Sequence, residues 1–394
     1  MTLRFLTAGE SHGPAMVTIL EGLPAGLPLT EQMINQDLAR RQEGLGTGAR
    51  MKIEHDQAVI LSGVMEGKTI GSPLAIMIKN LDHERWKDRS IPPSTIPRPG
   101  HADLAGVIKY GFNDLRPVLE RASARETAAR VAIGAVCRQF LAQFSIQIGG
   151  YVTAIGEINA SLEDISLEDR IRLALQNDIH CPDPNATQIM QQAIRQIMQE
   201  KDTLGGIIEA AALNVPPGLG SYVHWDRRLD ARIAAAILSI PAIKGVEIGP
   251  AFENSRLKGT VCHDPVALEG DELIRLRNRS GGIEGGVSNG SPIIVRAAMK
   301  PIPTTLSPQR SVHLLTGIET TTKYERSDFC PVPRAVVIVE AMLAFVLADA
   351  LLEKLGGDTL ADLHTRYQLL RKARLNDLKL SGDEHIFWSE SKTV

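Results

Sequence analysis

Apolar residues run from Ala15 to Leu20 and stop at the turn Pro24-Ala25-Gly26, a pattern that predicts a strand. Thr30 then stands where a helix N-cap belongs, ahead of a helix to Arg41 with Met33, Ile34 and Leu38 on its inner face. Gly44, Gly46 and Gly48 mark a loop from Arg40 to Met51, and short strands follow over Ala58–Leu61 and Leu74–Ile78. Residues 81–103 carry no such period. Pro92, Pro93, Pro97 and Pro99 make them a long irregular loop, of the kind proteins keep mobile for function.

Ser123-Ala124-Arg125-Glu126 has the form of a capping box, and the apolar stretch from there to about Phe144 predicts a helix buried on most sides. Arg130, Arg138 and Gln139 are its only strongly polar points for several turns after Thr127. Residues 160–200 read as two amphipathic helices. Ala335–Leu352 is long and apolar, but Glu340 and Asp349 interrupt it, so it reads as a core helix rather than a membrane span. These two acids are about half a turn out of phase and face opposite sides. The pattern describes one domain over 1–373, followed by a loosely held polar tail over 374–394 with a late Phe387 and Trp388.

The chain also echoes itself. Gly63-Val64, Gly67, Thr69, Gly71-Ser72-Pro73-Leu74 and Ile76 align with Gly282-Ile283, Gly286, Ser288, Gly290-Ser291-Pro292-Ile293 and Val295. Leu23-Pro24-Ala25-Gly26-Leu27 likewise resembles Val215-Pro216-Pro217-Gly218-Leu219. Two similar halves of a pseudo-symmetric α+β fold account for both, and the period is far too long for a solenoid.

Composition narrows the function classes. The formal net charge of −3 supplies no global basic field for nucleic acid or a membrane, so any anion must be held by local arginines. Cys137, Cys181, Cys262 and Cys330 are scattered without Cys-x-x-Cys spacing, which speaks against a disulfide framework or a zinc site and fits the cytoplasm. No metal is expected. The Gly-Glu-Ser-His-Gly motif comes so early that no signal or transit peptide is expected before it.

Candidate chemistry lies in four loops. Gly9-Glu10-Ser11-His12-Gly13 offers an acid or base in a tight turn. Arg98-Pro99-Gly100-His101-Ala102-Asp103 offers a second histidine, with Asp103 close enough to orient it. Arg121-Ala122-Ser123-Ala124-Arg125-Glu126-Thr127 sets guanidinium and hydroxyl groups at a helix N-terminus, where free N–H groups and the dipole favour an anion. Lys300-Pro301-Ile302-Pro303-Thr304-Thr305, after the glycine-rich 281–286, exposes amides and hydroxyls. These glycines fit neither the dinucleotide fingerprint nor a Walker loop, and no Gly-x-Ser-x-Gly or His-Glu-x-x-His is present. The other histidines, His83 among them, read as structural or surface residues. The loops describe an enzyme acting on a phosphorylated small molecule.

Taken in order, these motifs, with Lys244-Gly245-Val246-Glu247-Ile248-Gly249 and Arg334-Ala335-Val336, resemble the chorismate synthase family from Gly9 to about Leu352. The resemblance implies an anti-1,4-elimination of phosphate from 5-enolpyruvylshikimate 3-phosphate, dependent on reduced FMN without net redox change. It implies a homotetramer whose subunits sandwich helices between antiparallel sheets. It makes His12 the acid for phosphate departure, His101 the partner of the reduced flavin, and Asp349 the group assisting proton removal, with Ser11 and Ser123 in the relay. Flavin contacts fall on Arg121, Ala122, Ser123, Pro241, Ala242, Gly285, Lys300, Pro301, Ile302, Pro303, Thr304 and Arg326. Substrate anions fall to Arg41, Arg50, Arg125 and Arg334. Thr47 stands where many relatives carry an arginine associated with a nicotinamide nucleotide, which weakens the case for tight NADPH binding. A flavin oxidoreductase with net hydride transfer and a non-catalytic phosphate-binding module are the competing readings.

Overall fold

Along Ala15–Glu21 the odd and even side chains part company: Met16 and Leu20 are buried while Ile19 faces out. This two-residue period is what an antiparallel sheet with one covered face requires. In the computed structural model, which describes residues 2–47, 55–324 and 327–385, that strand is β2 of a four-stranded sheet. With β1 (Arg4–Ala8), β3 (Ala58–Ser62) and β4 (Leu74–Lys79) it forms the antiparallel order β1-β2-β4-β3.

A second antiparallel sheet contains β5 (Gln147–Ile155), β6 (Ile158–Asn159), β7 (Gly206–Leu213), β8 (Ile243–Ile248) and β9 (Ile293–Met299), in the order β8-β9-β7-β5-β6. The helices that matter for the site are α1 (Glu31–Gln42), α2 (Arg116–Arg121), α3 (Thr127–Ala142), α4 (Leu229–Leu238) and α5 (Val332–Leu355). The protein is thus a mixed α+β fold. Helix α3 packs on β2 and β4, α5 packs on β5 and β7, and the two helices pack on each other. Both are apolar on nearly every side because both are covered on nearly every side. The apolar stretch of α5 is therefore a core helix, as its two acids lead one to expect.

The echoed residues occupy matching places. Thr69 Oγ1 donates to Pro24 O (2.6 Å) and accepts from Leu27 N (3.0 Å). Ser288 Oγ donates to Pro216 O (2.7 Å) and accepts from Leu219 N (2.9 Å). Each hydroxyl ends a short hairpin, Val64–Met65 with Lys68–Thr69 and Ile283–Glu284 with Val287–Ser288, that feeds β4 and β9 respectively. At the far end of the chain, Leu273 N donates to Ala373 O (2.7 Å) and Leu375 N to Asp271 O (3.0 Å), which ties residues 373–375 to the hairpin Val266–Glu269 with Glu272–Arg275.

Local details differ from expectation at two helix starts. Thr30 occupies the N-cap of α1, but its side chain makes no capping bond. Ser123 Oγ accepts from Arg125 N, yet the reciprocal half of the capping box is absent. The Glu126 carboxylate is drawn instead to Thr7 Oγ1 (2.9 Å) and Arg130 Nε (2.9 Å), the second an ion pair stronger than a bond to a backbone amide.

The tightest point of the core is Gly134 on α3, where an added Cβ would lie 2.1 Å from Ala341 Cβ of α5. Gly134→Ala would gain about 1 kcal/mol of helix propensity. The clash should outweigh that gain and leave the variant less stable by roughly 1–3 kcal/mol. The urea midpoint is expected to fall with an unaltered slope, and an unchanged midpoint would mean that the two helices separate freely.

Candidate active site

Strand β1 delivers the first histidine. At its end Gly9 takes φ +110°, and Ala15 O lies 2.3 Å from where a Cβ would stand, so only glycine fits the turn. Asn80 Nδ2 clamps the loop through Glu10 O (3.0 Å) and Gly13 O (2.7 Å), and Ser11 N donates to Glu120 O (3.0 Å). His12 is held by Glu120 twice, Nδ1 to Oε1 and backbone N to Oε2, each at 2.8 Å. With Nδ1 committed to a carboxylate, Nε2 is the ring nitrogen left to act. Trp86 lies against the imidazole with ring centroids 4.3 Å apart, and His83 Nδ1 reaches His12 O at 2.8 Å. His83 therefore belongs to the site's frame. Burial would raise the Glu120 carboxyl, but its hydrogen bonds to His12 prevail and hold it below the usual range. Ser123 Oγ donates to Ser11 Oγ at 3.1 Å, and Arg121 Nη2 donates to Thr7 O at 3.0 Å.

Three of the four arginines expected to hold substrate converge behind this loop. Arg125 Nη1 donates to Asp56 Oδ1 (2.6 Å) and its Nε to Asn80 Oδ1 (2.7 Å). Arg41 reaches Asp56 Oδ2 (3.2 Å), Thr127 Oγ1 (3.0 Å) and Ala124 O (3.1 Å) at the start of α3. Arg334 donates from Nε to Arg41 O (2.9 Å) and pairs with Asp328. Among the described residues, Arg41 and Arg125 thus share the buried Asp56, and Arg334 pairs with the partly exposed Asp328. Burial pushes the Arg41 guanidinium down to about 9, Asp56 opposing and Arg334 and Arg125 adding to the fall. It stays charged at neutral pH. Arg50, the fourth, lies outside the described residues.

The second histidine is built from short-range contacts. His101 Nδ1 lies 2.5 Å from Asp103 Oδ1, and Arg98 holds the same carboxylate through Nε (2.8 Å) and Nη2 (3.0 Å). Burial would raise Asp103, but the His101 and Arg98 hydrogen bonds hold it well below the usual carboxylate range. This turn rests on the 300–304 loop: Arg98 Nη1 donates to Thr304 Oγ1 (3.1 Å) and Lys300 Nζ to Gly100 O (3.0 Å). Lys300 N in turn donates to Ala242 O (3.0 Å). Burial, then Lys244, pushes the Lys300 amine down. Arg130 joins the two sides, bonding Glu126 at the start of α3 and Ser239 Oγ (2.6 Å), just before Pro241.

Asp349 lies apart from the His12 loop. Its Oδ1 accepts from Leu3 N (2.6 Å) and its Oδ2 from Arg232 Nη2 (2.6 Å). Leu3 and the His12 loop lie at opposite ends of β1, roughly 17 Å apart at about 3.3 Å per residue. Asp349 makes its hydrogen bonds to Leu3 and Arg232 rather than to Ser11 or Ser123. Arg326 lies outside the described residues. Gly285 turns the tip of its hairpin with φ +58°. Sequence reasoning missed Glu120, Trp86, Arg98 and Asp328 as partners, and it missed Arg116. The Nε and Nη1 of Arg116 are buried and make no hydrogen bond with the described residues, although the group lies close enough to Glu120 to lower its carboxyl. Only the four-residue spacing of Arg116 and Glu120 on α2 hinted at the pair.

A family model described as chorismate synthase matches residues 3–352. A chorismate synthase of Aquifex aeolicus (strain VF5) is 52% identical over 384 residues, covering 93% of this chain and 96% of that protein. One of Chlorobaculum tepidum is 52% identical over 389 residues, covering 94% and 98%. A crystal structure of chorismate synthase superposes with a TM-score of 0.78 at 46% identity, over 93% of this chain and 97% of the other. The chain belongs to the chorismate synthase family. It is a phosphate-lyase that converts 5-enolpyruvylshikimate 3-phosphate to chorismate in the shikimate pathway. Chorismate synthases use reduced FMN, whose phosphate and electron-rich ring call for cations and close backbone approach. The residues present fit that group: Arg116 has its buried Nε and Nη1 unbonded among the described residues, and the Lys300 ammonium bonds only a carbonyl among them.

The Asp103 carboxyl is depressed in the folded state, so its stabilisation is present above the unfolded value near 4 and is lost as pH falls toward the folded one. Asp103→Asn should cost roughly 1–3 kcal/mol at pH 7. The gap from wild type should shrink steadily below about pH 4. Urea midpoints at pH 7 and pH 3 measure it, and a pH-independent gap would rule out the ionised pair as its source.

Proposed function

We propose that His12 is the acid that assists phosphate departure. The observation carrying this reading is the Glu120 clamp, which fixes the imidazole on the loop that Asn80 ties to the buried guanidinium of Arg125. Arg41, Arg125 and Arg334, with Arg50, hold the phosphate and carboxylates of the substrate. A phosphate dianion leaves readily only when a proton or cation takes up its charge.

His101, balanced by Asp103, faces the flavin, and Lys300 supplies charge on the same side. The flavin lies along Arg121, Ala122, Ser123, Pro241, Ala242, Gly285, Lys300, Pro301, Ile302, Pro303, Thr304 and Arg326. Bonds from Arg98 and Lys300 that tie the His101 turn to the 300–304 loop support this grouping. When bound, the reduced flavin supplies transient electron density to the allylic system. The protein orients it and excludes water. The proton lost from the ring needs a carboxylate acceptor, and Asp328 suits that role better than Asp349. Its side chain is 18% exposed beside Arg334, whereas that of Asp56 is sealed between two guanidiniums. Ser11 and Ser123 couple the His12 loop to the start of α3.

The repeated sheet order and the twin hairpins support a duplicated unit, with α3 and α5 sandwiched between two sheets in a single domain over 1–373. The family resemblance supports a cytoplasmic homotetramer that binds neither nucleic acid nor membrane. Thr47 argues for an external source of reduced flavin rather than tight NADPH binding.

An anaerobic assay with 5-enolpyruvylshikimate 3-phosphate and chemically reduced FMN should yield chorismate and phosphate with no net NADPH consumption. Absence of both products would sink the reading, and stoichiometric NADPH loss would favour a hydride-transferring oxidoreductase. His12→Ala should lower kcat about 10²–10⁴-fold with a smaller change in KM. A wild-type kcat would remove the acid role.

A further inference from the structure

The two halves of the fold treat their matching Pro-x-Gly turns differently. In the first half, Ala25 N donates to Asp358 O (2.8 Å) and Ala25 O accepts from Leu360 N (2.9 Å), so a piece of chain fills the slot beside the turn. In the second half the residue matching Ala25 is Pro217, which has no N–H to dock a chain in that way. There the slot is a cavity of about 640 Å³.

The walls of this cavity have a definite chemistry. Pro217, Leu273 and Leu378 present apolar surface. Lys354, Arg371 and Lys372 also line it, and none of them forms an ion pair with a described residue. Lys354 Nζ lies 3.5 Å from the point where a Cβ on Gly218 would stand, so its ammonium reaches over the turn itself. The cavity's other cation, Arg275, is already neutralised by Glu284 through Nε (2.5 Å) and Nη2 (2.7 Å). An apolar floor under three uncompensated cations matches a ligand with a hydrophobic body and a negative end. Its size fits a small molecule rather than a peptide.

We infer that this cavity is a second ligand site, separate from the arginine cluster, and that it takes a small ring-bearing carboxylate. The carboxylate meets Lys354 and Arg371, and the ring lies on Pro217 and Leu273.

Calorimetric titration of the full-length protein with 2-naphthoate, and in parallel with neutral 2-naphthamide, tests this. Naphthoate should bind at one site per chain, with the amide about tenfold weaker or worse, since loss of one charge-assisted contact costs on the order of 1.4 kcal/mol. In the double variant Lys354→Gln with Arg371→Gln, naphthoate affinity should fall about tenfold or more. Lys354→Arg should retain it, and elimination activity should persist in every variant. Unchanged binding in the double variant would place naphthoate elsewhere and overturn the assignment. So would equal affinity for the amide, or no detectable binding.

Discussion

Asp56 is shared between two buried guanidiniums, and much of the molecule is arranged so that this can happen. Burying an ion is costly unless its partner and its remaining lone pairs are supplied in good geometry. Arg41 comes from the last turn of α1, Arg125 from the turn before α3, and Asn80 completes the set from the end of β4. Arg334 at the start of α5 then grips the backbone of Arg41. Four elements far apart in the chain must dock together before any of these charges is satisfied. The cluster proposed to bind the substrate anions therefore also fixes how the helices and the first sheet meet.

The two histidines show contrasting ways to orient an imidazole. His101 takes its carboxylate from two residues away, so its pairing is nearly a property of the local turn. His12 takes its carboxylate from Glu120, on a helix more than a hundred residues distant. The first pairing survives wherever the turn survives. The second exists only when α2 is seated, so it reports on tertiary order around the site.

This contrast also explains what could be read from the chain. Strands β2, β3 and β4, helix α1 and the core helices follow from local periodicity, and the Pro-x-Gly turns and hairpins follow from repeated residues. Asp103 beside His101 was legible because two residues separate them. Glu120, Trp86 and Arg116 were not, since their partners are chosen by docking rather than spacing. The Ser123 capping box failed for a related reason: Thr7 and Arg130 claimed the Glu126 side chain. Asp349 was given a chemical role by the family resemblance alone. Its neighbours, Leu3 and Arg232, could be known only from the packing of both chain ends.

The bond from Asp349 to Leu3 gives Asp349 a mechanical task. Strand β1 is an edge strand, paired on one side only, and such strands are prone to slide. A slip of one residue would shift the His12 loop by about 3.3 Å and turn its side chains to the opposite face. Asp349 grips the amide of Leu3 just before the strand begins, so it works as a registration pin. It sets at one end of β1 where the histidine at the other end comes to rest.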